Sequence, residues 1–274
     1  MSQPSAVGTV MIKAARAAGR SLARDFGEVE NLQVSKKGPA DYVSNADHQA
    51  EEIIYESLTK ARPGYGFVLE ERGVVEGTDR TNRFIVDPLD GTLNFLHGQP
   101  HYAVSIGLER EGKLFAGVVY DVAKNEIFWA ETGRGAWLEN RKLRVAARRK
   151  MSEAVIATGT PWHGHAEEAH QAFWGELAAL TPVVAGIRRY GSAALDLAYV
   201  AAGRFDGFWE RGLKSWDIAA GIVLVREAGG VADEIAGGDV LTTGDVAAGN
   251  IDIQSALVAR LRKAKAFAPQ PDGT

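Results

Sequence analysis

The sequence predicts a mixed α/β protein, two layered halves that share one continuous body. Three observations carry this. Two amphipathic helices open the chain, a run of strands joined by tight turns follows, and from about residue 154 strands and helices alternate. Short turns between neighbouring strands argue for an antiparallel meander, and alternation argues for helices laid on a sheet. The periodicity changes near residue 150 but the composition does not, and no Pro/Ser-rich linker or repeat interrupts the chain. One domain over 1–274 is expected, with an N-terminal half to 150, a C-terminal half over 151–265 and a tail over 266–274.

Residues 5–26 place Val7, Val10, Met11, Ala14, Ala15, Ala18 and Leu22 on one helical face, with Gly27 as the stop. A second helix spans about 45–61, capped by Ser44, with Ile53, Ile54, Leu58 and Ala61 inward and Pro63 beyond its end. "GFVLE" (66–70) and "RFIVD" (83–87) read as buried strands, each ending on a carboxylate. "AVSIGLER", "LFAGVVYDV", "EIFWAE" and "AWLEN" form the meander, separated by "EGK", "AKN" and "TGRG". The second half reads as strand 154–159, helix 166–180, strand 183–190, helix 192–202, strand 204–210, helix 216–228, strands 230–235 and 245–249, and helix 253–265.

Composition removes several function classes. Cysteine is absent, so no disulfide, thiol nucleophile or thiolate ligand exists. Net charge is −4 and Arg148-Arg149-Lys150 is the largest basic block, so no nucleic-acid partner is expected. Lys13, Arg16, Arg20 and Arg24 break the N-terminal segment at helical spacing, and no run of about 18 apolar residues occurs. A cytoplasmic protein without a membrane partner is the expectation.

The chemistry gathers at "FIVDPLDGTLNF" (84–95), where an apolar strand runs into Asp87 and then Asp90. Locally this is turn chemistry: Asp-Gly, and Pro at a second turn position. An EF-hand loop is excluded, because Leu89 and Gly91 stand where it needs side-chain oxygens. Glu70, Asp87 and Asp90 all leave strand ends, where α/β proteins gather site residues. Magnesium takes oxygen ligands, so converging carboxylates suit it. Pro88 fixes a bend that lets Asp87 and Asp90 converge and turns the Leu89 carbonyl toward them. Gly91 lets backbone pass close to an anion, and Thr92 adds a hydroxyl. Asp217 opens a helix in "SWDIAAG" and reads equally as a capping acid. Asp47, in Ser44-x-x-Asp47, reads equally as half of a capping box.

These motifs resemble the inositol monophosphatase family: "FVLEE" (67–71), "IVDPLDGTLNF" (85–95) and "WDIAAGIVLVREAGG" (216–230), with "DYVSNAD" (41–47) before them and "GSAALDLAYVAAGRFDGFWE" (191–210) between the last two. The resemblance covers residues 5–262. It implies a layered αβαβα sandwich, a homodimer, lithium sensitivity and hydrolysis of a phosphorylated sugar or polyol with two or three Mg²⁺ ions. It assigns Glu70, Asp87 and the Leu89 carbonyl to a first ion, Asp87, Asp90 and Asp217 to a second, and a third to the neighbourhood of Glu70. Thr92 paired with Asp47 would help activate water, and the Gly91 and Thr92 amides would receive phosphate. Gly191, Ser192, Ala193 and Glu210 would line the alcohol side. Inositol 1-phosphate is the favoured substrate; fructose-1,6-bisphosphatase, histidinol-phosphate phosphatase and nucleotide 3′-phosphatase activities are the alternatives, and a non-catalytic metal-binding interaction protein is the alternative from another class.

Two departures stand out. Leu69 replaces a usual Gly, and Arg72, in place of Ser, adds a cation expected near an anionic site. Glu71 reads as a solvated neighbour of Glu70. His163 and His165 read as loop residues, His97 as loop support, and Trp162 and Trp174 as packing residues. Lys36 aligns with a family lysine near the metals, or belongs with Lys37 to a solvated loop. Ser192 lacks His/Asp partners for a hydrolase triad.

Overall fold

A computed structural model describes residues 3–26, 34–38 and 41–267, with 34–38 and 41–44 by their backbone. Gly27, the Ser44, Lys36 and Lys37 side chains and the end of the tail lie outside the described residues.

Five layers are stacked. Helices α1 (Ala6–Phe26) and α2 (Asn45–Ala61) form the first. The expected stripe of α1 is inward: Val7, Met11, Ala14, Ala15, Ala18 and Leu22 are buried, sealed against Ile54 and Leu58 of α2. A small hairpin, β1 (Val34–Gly38) with β2 (Asp41–Ser44), leads into α2.

The second layer is an eight-stranded sheet. It contains β3 (Tyr65–Leu69), β4 (Gly73–Val75), β5 (Asp79–Asp90), β6 (Ala103–Arg110), β7 (Lys113–Asp121), β8 (Glu126–Glu131), β9 (Gly135–Leu138) and β10 (Arg141–Lys142). Its order is β10-β9-β8-β7-β6-β5-β3-β4. The meander from β5 to β9 is antiparallel as expected, whereas β3 lies parallel to β5 and sends Glu70 and Asp87 out of the same edge.

The third layer holds α5 (Ala193–Ala201) and α6 (Ser215–Glu227), both almost wholly apolar because sheets cover both sides. The fourth is a five-stranded mixed sheet of β11 (Val155–Thr158), β12 (Gly186–Arg188), β13 (Gly207–Glu210), β14 (Val231–Glu234) and β15 (Val246–Gly249), in the order β12-β11-β13-β15-β14. Helices α4 (Glu167–Leu180) and α8 (Ile251–Leu261) form the fifth, and the one-turn α7 (Val240–Thr243) lies between β14 and β15. Among the described residues no helix is long and apolar enough to cross a membrane.

Helix α6 lies very close to the large sheet. A methyl group at Gly117 would stand 2.4 Å from the Ala220 carbonyl, and one at Gly107 2.8 Å from the Ala219 side chain. Small residues on both partners thus draw Asp217, in the first turn of α6, toward the strand ends that carry Asp87 and Asp90.

Three expectations are corrected. Asp87 and Asp90 do not leave the strand: β5 runs through Pro88 to Asp90, with a register shift against β6 between the two acids. The irregularity accommodates the missing Pro N–H and frees Asp90 from strand alternation. Directly after it comes an unexpected one-turn helix, α3 (Thr92–Leu96). The last helix starts at Ile251, capped by Asn250, whose side chain accepts from the amides of Asp252 and Ile253, both at 3.0 Å.

Candidate active site

The site sits where β3 and β5 end and α3, α5 and α6 begin. Gly91 makes it possible: its φ of 94° is left-handed, and a Cβ there would stand 3.1 Å from the His101 carbonyl and 3.3 Å from that of Gly191. The two glycines picked from distant motifs are therefore neighbours. Asn94 locks them together, its side-chain amide donating to the carbonyls of Tyr190 at 2.7 Å and His101 at 2.8 Å.

Three carboxylates are each anchored to the fold through one oxygen. Asp87 Oδ1 accepts from the Leu89 amide at 2.9 Å. Asp90 Oδ2 accepts from the Ser192 hydroxyl at 2.5 Å and the Ala194 amide at 2.8 Å, so the N-terminus of α5 is aimed at it. Asp217 Oδ2 accepts from the Lys214 amide at 2.7 Å, so the capping role holds alongside the site position. Such anchors fix the plane of each carboxylate, and the Asp87 side chain is also hydrogen-bonded with Glu70.

The acids share one field. Asp87 is held well above the usual carboxylate range by burial, then by repulsion from Glu70, Asp90 and Asp217. Asp90 is pushed up to about 6 by burial, moderated by Ser192 and the α5 amides. Burial and repulsion from Asp90, Glu70 and Glu210 also raise Asp217. Glu210 rises to about 8 through burial and Asp90, opposed by Arg189 and the Gly159 amide. A Cβ at Gly159 would collide with the Glu210 carboxyl, so that glycine makes the space it occupies.

Thr92 lies within the same cluster. Its hydroxyl is 3.2 Å from Asp47 Oδ1, which is buried, and 3.0 Å from the Leu89 carbonyl oxygen. Asp47 thus reaches across 45 residues of sequence to Thr92.

The donor set fits a hard divalent cation. It is all oxygen, without thiolate or imidazole, and its buried negative charges repel one another. Among the described residues no three acids or histidines form a ready-made metal cage; mutually repelling carboxylates do not close until positive charge balances them.

Several expected side chains do other work. Arg72 does not enter the anionic site: it pairs with Glu52, approaches Glu51 at 3.9 Å and lies 4.5 Å from the Tyr55 ring centroid, all on α2. Glu71 is not solvated; its side chain is only 3% exposed and 3.9 Å from His48 Nδ1. Ser192 spends its hydroxyl on Asp90 and caps α5, accepting from the Leu195 amide at 3.3 Å. Trp162 and Trp174 are 45% and 51% exposed, because the loop before α4 and the outer face of that helix have no layer above them.

Two buried acids escaped sequence reasoning. Glu51, four residues after Asp47 on the same helix face, accepts from the Glu71 amide at 2.8 Å and holds the corner that carries Glu70. Its i, i+4 spacing from Asp47 was the available signal. Asp196 on α5 is buried with neither carboxyl oxygen hydrogen-bonded among the described residues, and burial with Glu210 and Asp90 nearby keeps it toward the neutral acid. Its place on an apolar helix face was the only trace of it in the sequence.

Residues 3–266 match the inositol monophosphatase family. The chain is 58% identical over 260 residues to the inositol-1-monophosphatase of Mesorhizobium japonicum, covering 94% of this chain and 97% of that one. It is 42% identical over 254 residues to the Nus factor SuhB of Escherichia coli, with 92% and 94% covered. The crystal structure of extragenic suppressor protein suhB from Bartonella henselae superposes with a TM-score of 0.91 at 55% identity, over 94% of this chain and 99% of that one. The chain belongs to the inositol monophosphatase family, and with it to the metal-dependent phosphoric monoester hydrolases.

Proposed function

We propose that the protein hydrolyses myo-inositol 1-phosphate to myo-inositol and phosphate with two or three Mg²⁺ ions. The observation that carries this reading is the set of carboxylates Asp87, Asp90 and Asp217, each tied down by one oxygen, beside the Thr92–Asp47 pair. Glu70, Asp87 and the Leu89 carbonyl would hold one ion, Asp87, Asp90 and Asp217 a second, and Glu70 would neighbour a third. Bound there, the ions would supply charge for the phosphate and the leaving alkoxide and sharpen the water nucleophile.

The chain's own residues have the remaining roles. Asp47 accepts the Thr92 proton, which leaves the Thr92 oxygen to accept from the attacking water and aim it. The Gly91 and Thr92 amides receive phosphate oxygens. Phosphoryl transfer leaves the protein mainly positioning and charge balance, and the anchored acids serve both. Glu210 reads the hydroxyls of the polyol, supported by its position beside Asp90 and Asp217 and by the engagement of its neighbour Arg211 with Glu176 and Asp245. Gly191 borders the same side, while Ser192 and Ala193 act on the substrate through Asp90. A homodimer in the cytoplasm completes the proposal.

Phosphate release from myo-inositol 1-phosphate, measured with and without Mg²⁺ and then against millimolar lithium, tests it. Metal-dependent release inhibited by lithium is expected. Release from fructose 1,6-bisphosphate, histidinol phosphate or a nucleoside 3′-phosphate at a higher kcat/KM would move the substrate assignment, and no release from any ester would leave a metal-binding interaction protein.

A further inference from the structure

The cavity under α4, walled by Trp162, Phe173 and Leu213, adjoins Glu210 and belongs to the alcohol side of the site. A second cavity, of about 310 Å³, lies at the far end of the large sheet. Arg62, Tyr65, Arg110, Phe115, Glu131 and Arg134 line it, beside the first turn of α1. On β5, Asn82 pairs with Arg110 of β6, whereas Asp90 pairs with Ala103. The intervening strand, roughly 25 Å at about 3.3 Å per residue, separates this cavity from the acids of the active site.

The cations here are held in place but not balanced. Arg110 donates to the Asn82 side-chain oxygen at 3.0 Å and lies 3.9 Å from the Phe115 ring centroid. Arg62 donates to the Ala61 carbonyl at 2.7 Å. Among the described residues neither guanidinium forms an ion pair. Arg134 stands 3.6 Å from Glu131, the acid that lines the cavity. Three cations therefore face one acid. Helix α1 adds the positive end of a 21-residue helix whose first turn contains no acid.

Glu131 discriminates among the anions that such a field attracts. It is 1% exposed. Its Oε1 accepts from the Ser5 amide at 2.8 Å, and Gly8 leaves it room, since a Cβ there would stand 2.2 Å from that oxygen. Its Oε2 is buried with no hydrogen-bond partner among the described residues. A buried acceptor left unpaired is costly, and an anion that carries its own hydroxyl repairs it. Hydrogen phosphate has both parts: ionised oxygens for the guanidiniums and a P–OH for Oε2. Sulfate has no proton to give. A phosphate monoester loses its second proton near about pH 6 and has none to offer at pH 8.

We infer that this cavity is a binding site for inorganic hydrogen phosphate, separate from the active site. Arg62, Arg110 and Arg134 hold the ionised oxygens, and Glu131 Oε2 accepts from the P–OH. The inference goes beyond the substrate reading above and does not depend on it.

Equilibrium dialysis of the full-length, Mg²⁺-loaded protein against radiolabelled phosphate at pH 8 tests it, with kcat/KM on myo-inositol 1-phosphate measured in parallel. Phosphate held at the active site is common to all variants, so the difference between them is what counts. Wild type should retain one phosphate per chain more than the double variant Arg62→Gln, Arg110→Gln. Affinity at this cavity should fall about 10²-fold or more, the scale of losing two charge-assisted bonds, while kcat/KM stays unchanged. Sulfate should compete for the additional phosphate about 10-fold or more less well than phosphate itself, because it leaves Oε2 unpaired. Glu131→Gln should erase that preference: its oxygen keeps the Ser5 amide, and its NH₂ donates where Oε2 accepted. Equal phosphate in wild type and the double variant would overturn the inference, and so would sulfate competing as well as phosphate in wild type. If the double variant does not fold, Glu131→Gln decides alone, and an unchanged preference for phosphate overturns the inference. A protein inert toward inositol phosphate would refute the function proposed above and leave the phosphate count standing.

Discussion

The two sides of this site are built on opposite principles. On the metal-facing side, Asp87, Asp90 and Asp217 are crowded and raised toward protonation by burial, Asp87 and Asp217 also by their acidic neighbours, each tied to a backbone or hydroxyl donor. On the alcohol side, beyond Glu210, Arg211 is paired off with Glu176 and Asp245, and the wall is mostly apolar. One side stores unbalanced charge and the other removes it. The difference separates the two tasks: charge that awaits a cation serves the chemistry shared by all phosphate esters, and Glu210 with the apolar wall beyond it serves discrimination among their alcohols. Substitutions on the first side should therefore damage all substrates alike, and those on the second should sort them.

The largest effect is expected for Asp90→Asn. The change is nearly isosteric and keeps an acceptor for Ser192 and Ala194, but it removes charge from the cluster. A fall of about 10²-fold or more in kcat on every ester is expected, the scale of losing one electrostatic stabiliser. Activity near wild type at ordinary Mg²⁺ would contradict the assignment. Thr92→Ala should come next, lowering kcat by about 10- to 10²-fold while the Mg²⁺ concentration for half-activation stays put. A collapse of metal affinity with kcat intact at saturation would move Thr92 from water positioning to metal support.

Glu210→Gln tests the other side. Assayed above about pH 8, where Glu210 is ionised, a lost charged hydrogen bond costs about 1.5–3 kcal/mol, so kcat/KM for inositol phosphate should fall about 10-fold or more. Phenyl phosphate, lacking the ring hydroxyls, should be hydrolysed almost as before. Parallel losses on both substrates would place Glu210 with the chemistry and erase the division drawn above.

A pH series on the metal-free protein probes the stored charge directly. Unfolded carboxylates titrate near about 4, whereas Asp90 is pushed up to about 6 and Glu210 to about 8, and Asp87 and Asp217 are raised as well. A raised folded-state value means that the native state binds more protons between those limits. Stability is then present below about pH 4 and is lost as pH rises through 6 and 8. With chelator present, Tm should fall from pH 5.5 to 8.5, and saturating Mg²⁺ should abolish the fall. A Tm that is flat or rising across that range in chelator would show that the acids are already balanced from within the protein.

The same contrast explains what was legible in the sequence. The helices, the antiparallel meander and the alternation of the second half showed locally as helical stripes and strand patterns, whereas the five-layer stacking came only with the family resemblance; the acids showed as motifs because a strand-end carboxylate before Pro or Gly is a short-range signal. Three features were out of reach of the sequence because their causes are long-range. Pro88 looked like the end of a strand, but the irregular pairing of β5 with β6 carries the strand through it. The Ser192 hydroxyl could be assigned to Asp90 only once α5 was seen to aim its N-terminus there. The apolar cavity depends on α4 lying beyond the end of β13, and no local pattern in either segment announces that meeting.

Arg72 offers the smallest and sharpest test. By position in the motif it should be a cation beside the phosphate, and Arg72→Ser should then raise KM on every ester. The structure turns it the other way, onto Glu52, Glu51 and the face of Tyr55. Arg72 and Glu52 are 39% and 47% exposed, so their pairing contributes about 0–1 kcal/mol, and the ring contact about 0.5–1 kcal/mol. The expected result is a Tm lower by about 2–4 °C, with kcat and KM within about twofold of wild type. Arg72→Lys should recover part of the Tm, since it keeps the charge over Tyr55 but loses the planar fork that meets Glu52. The α2 clamp meets the corner that carries Glu70 through Glu51, which accepts from the Glu71 amide at 2.8 Å and lies 3.9 Å from the Arg72 guanidinium. A KM raised tenfold with Tm unchanged would therefore place the Arg72 cation in the phosphate field after all and extend the charged side of the site beyond Glu70.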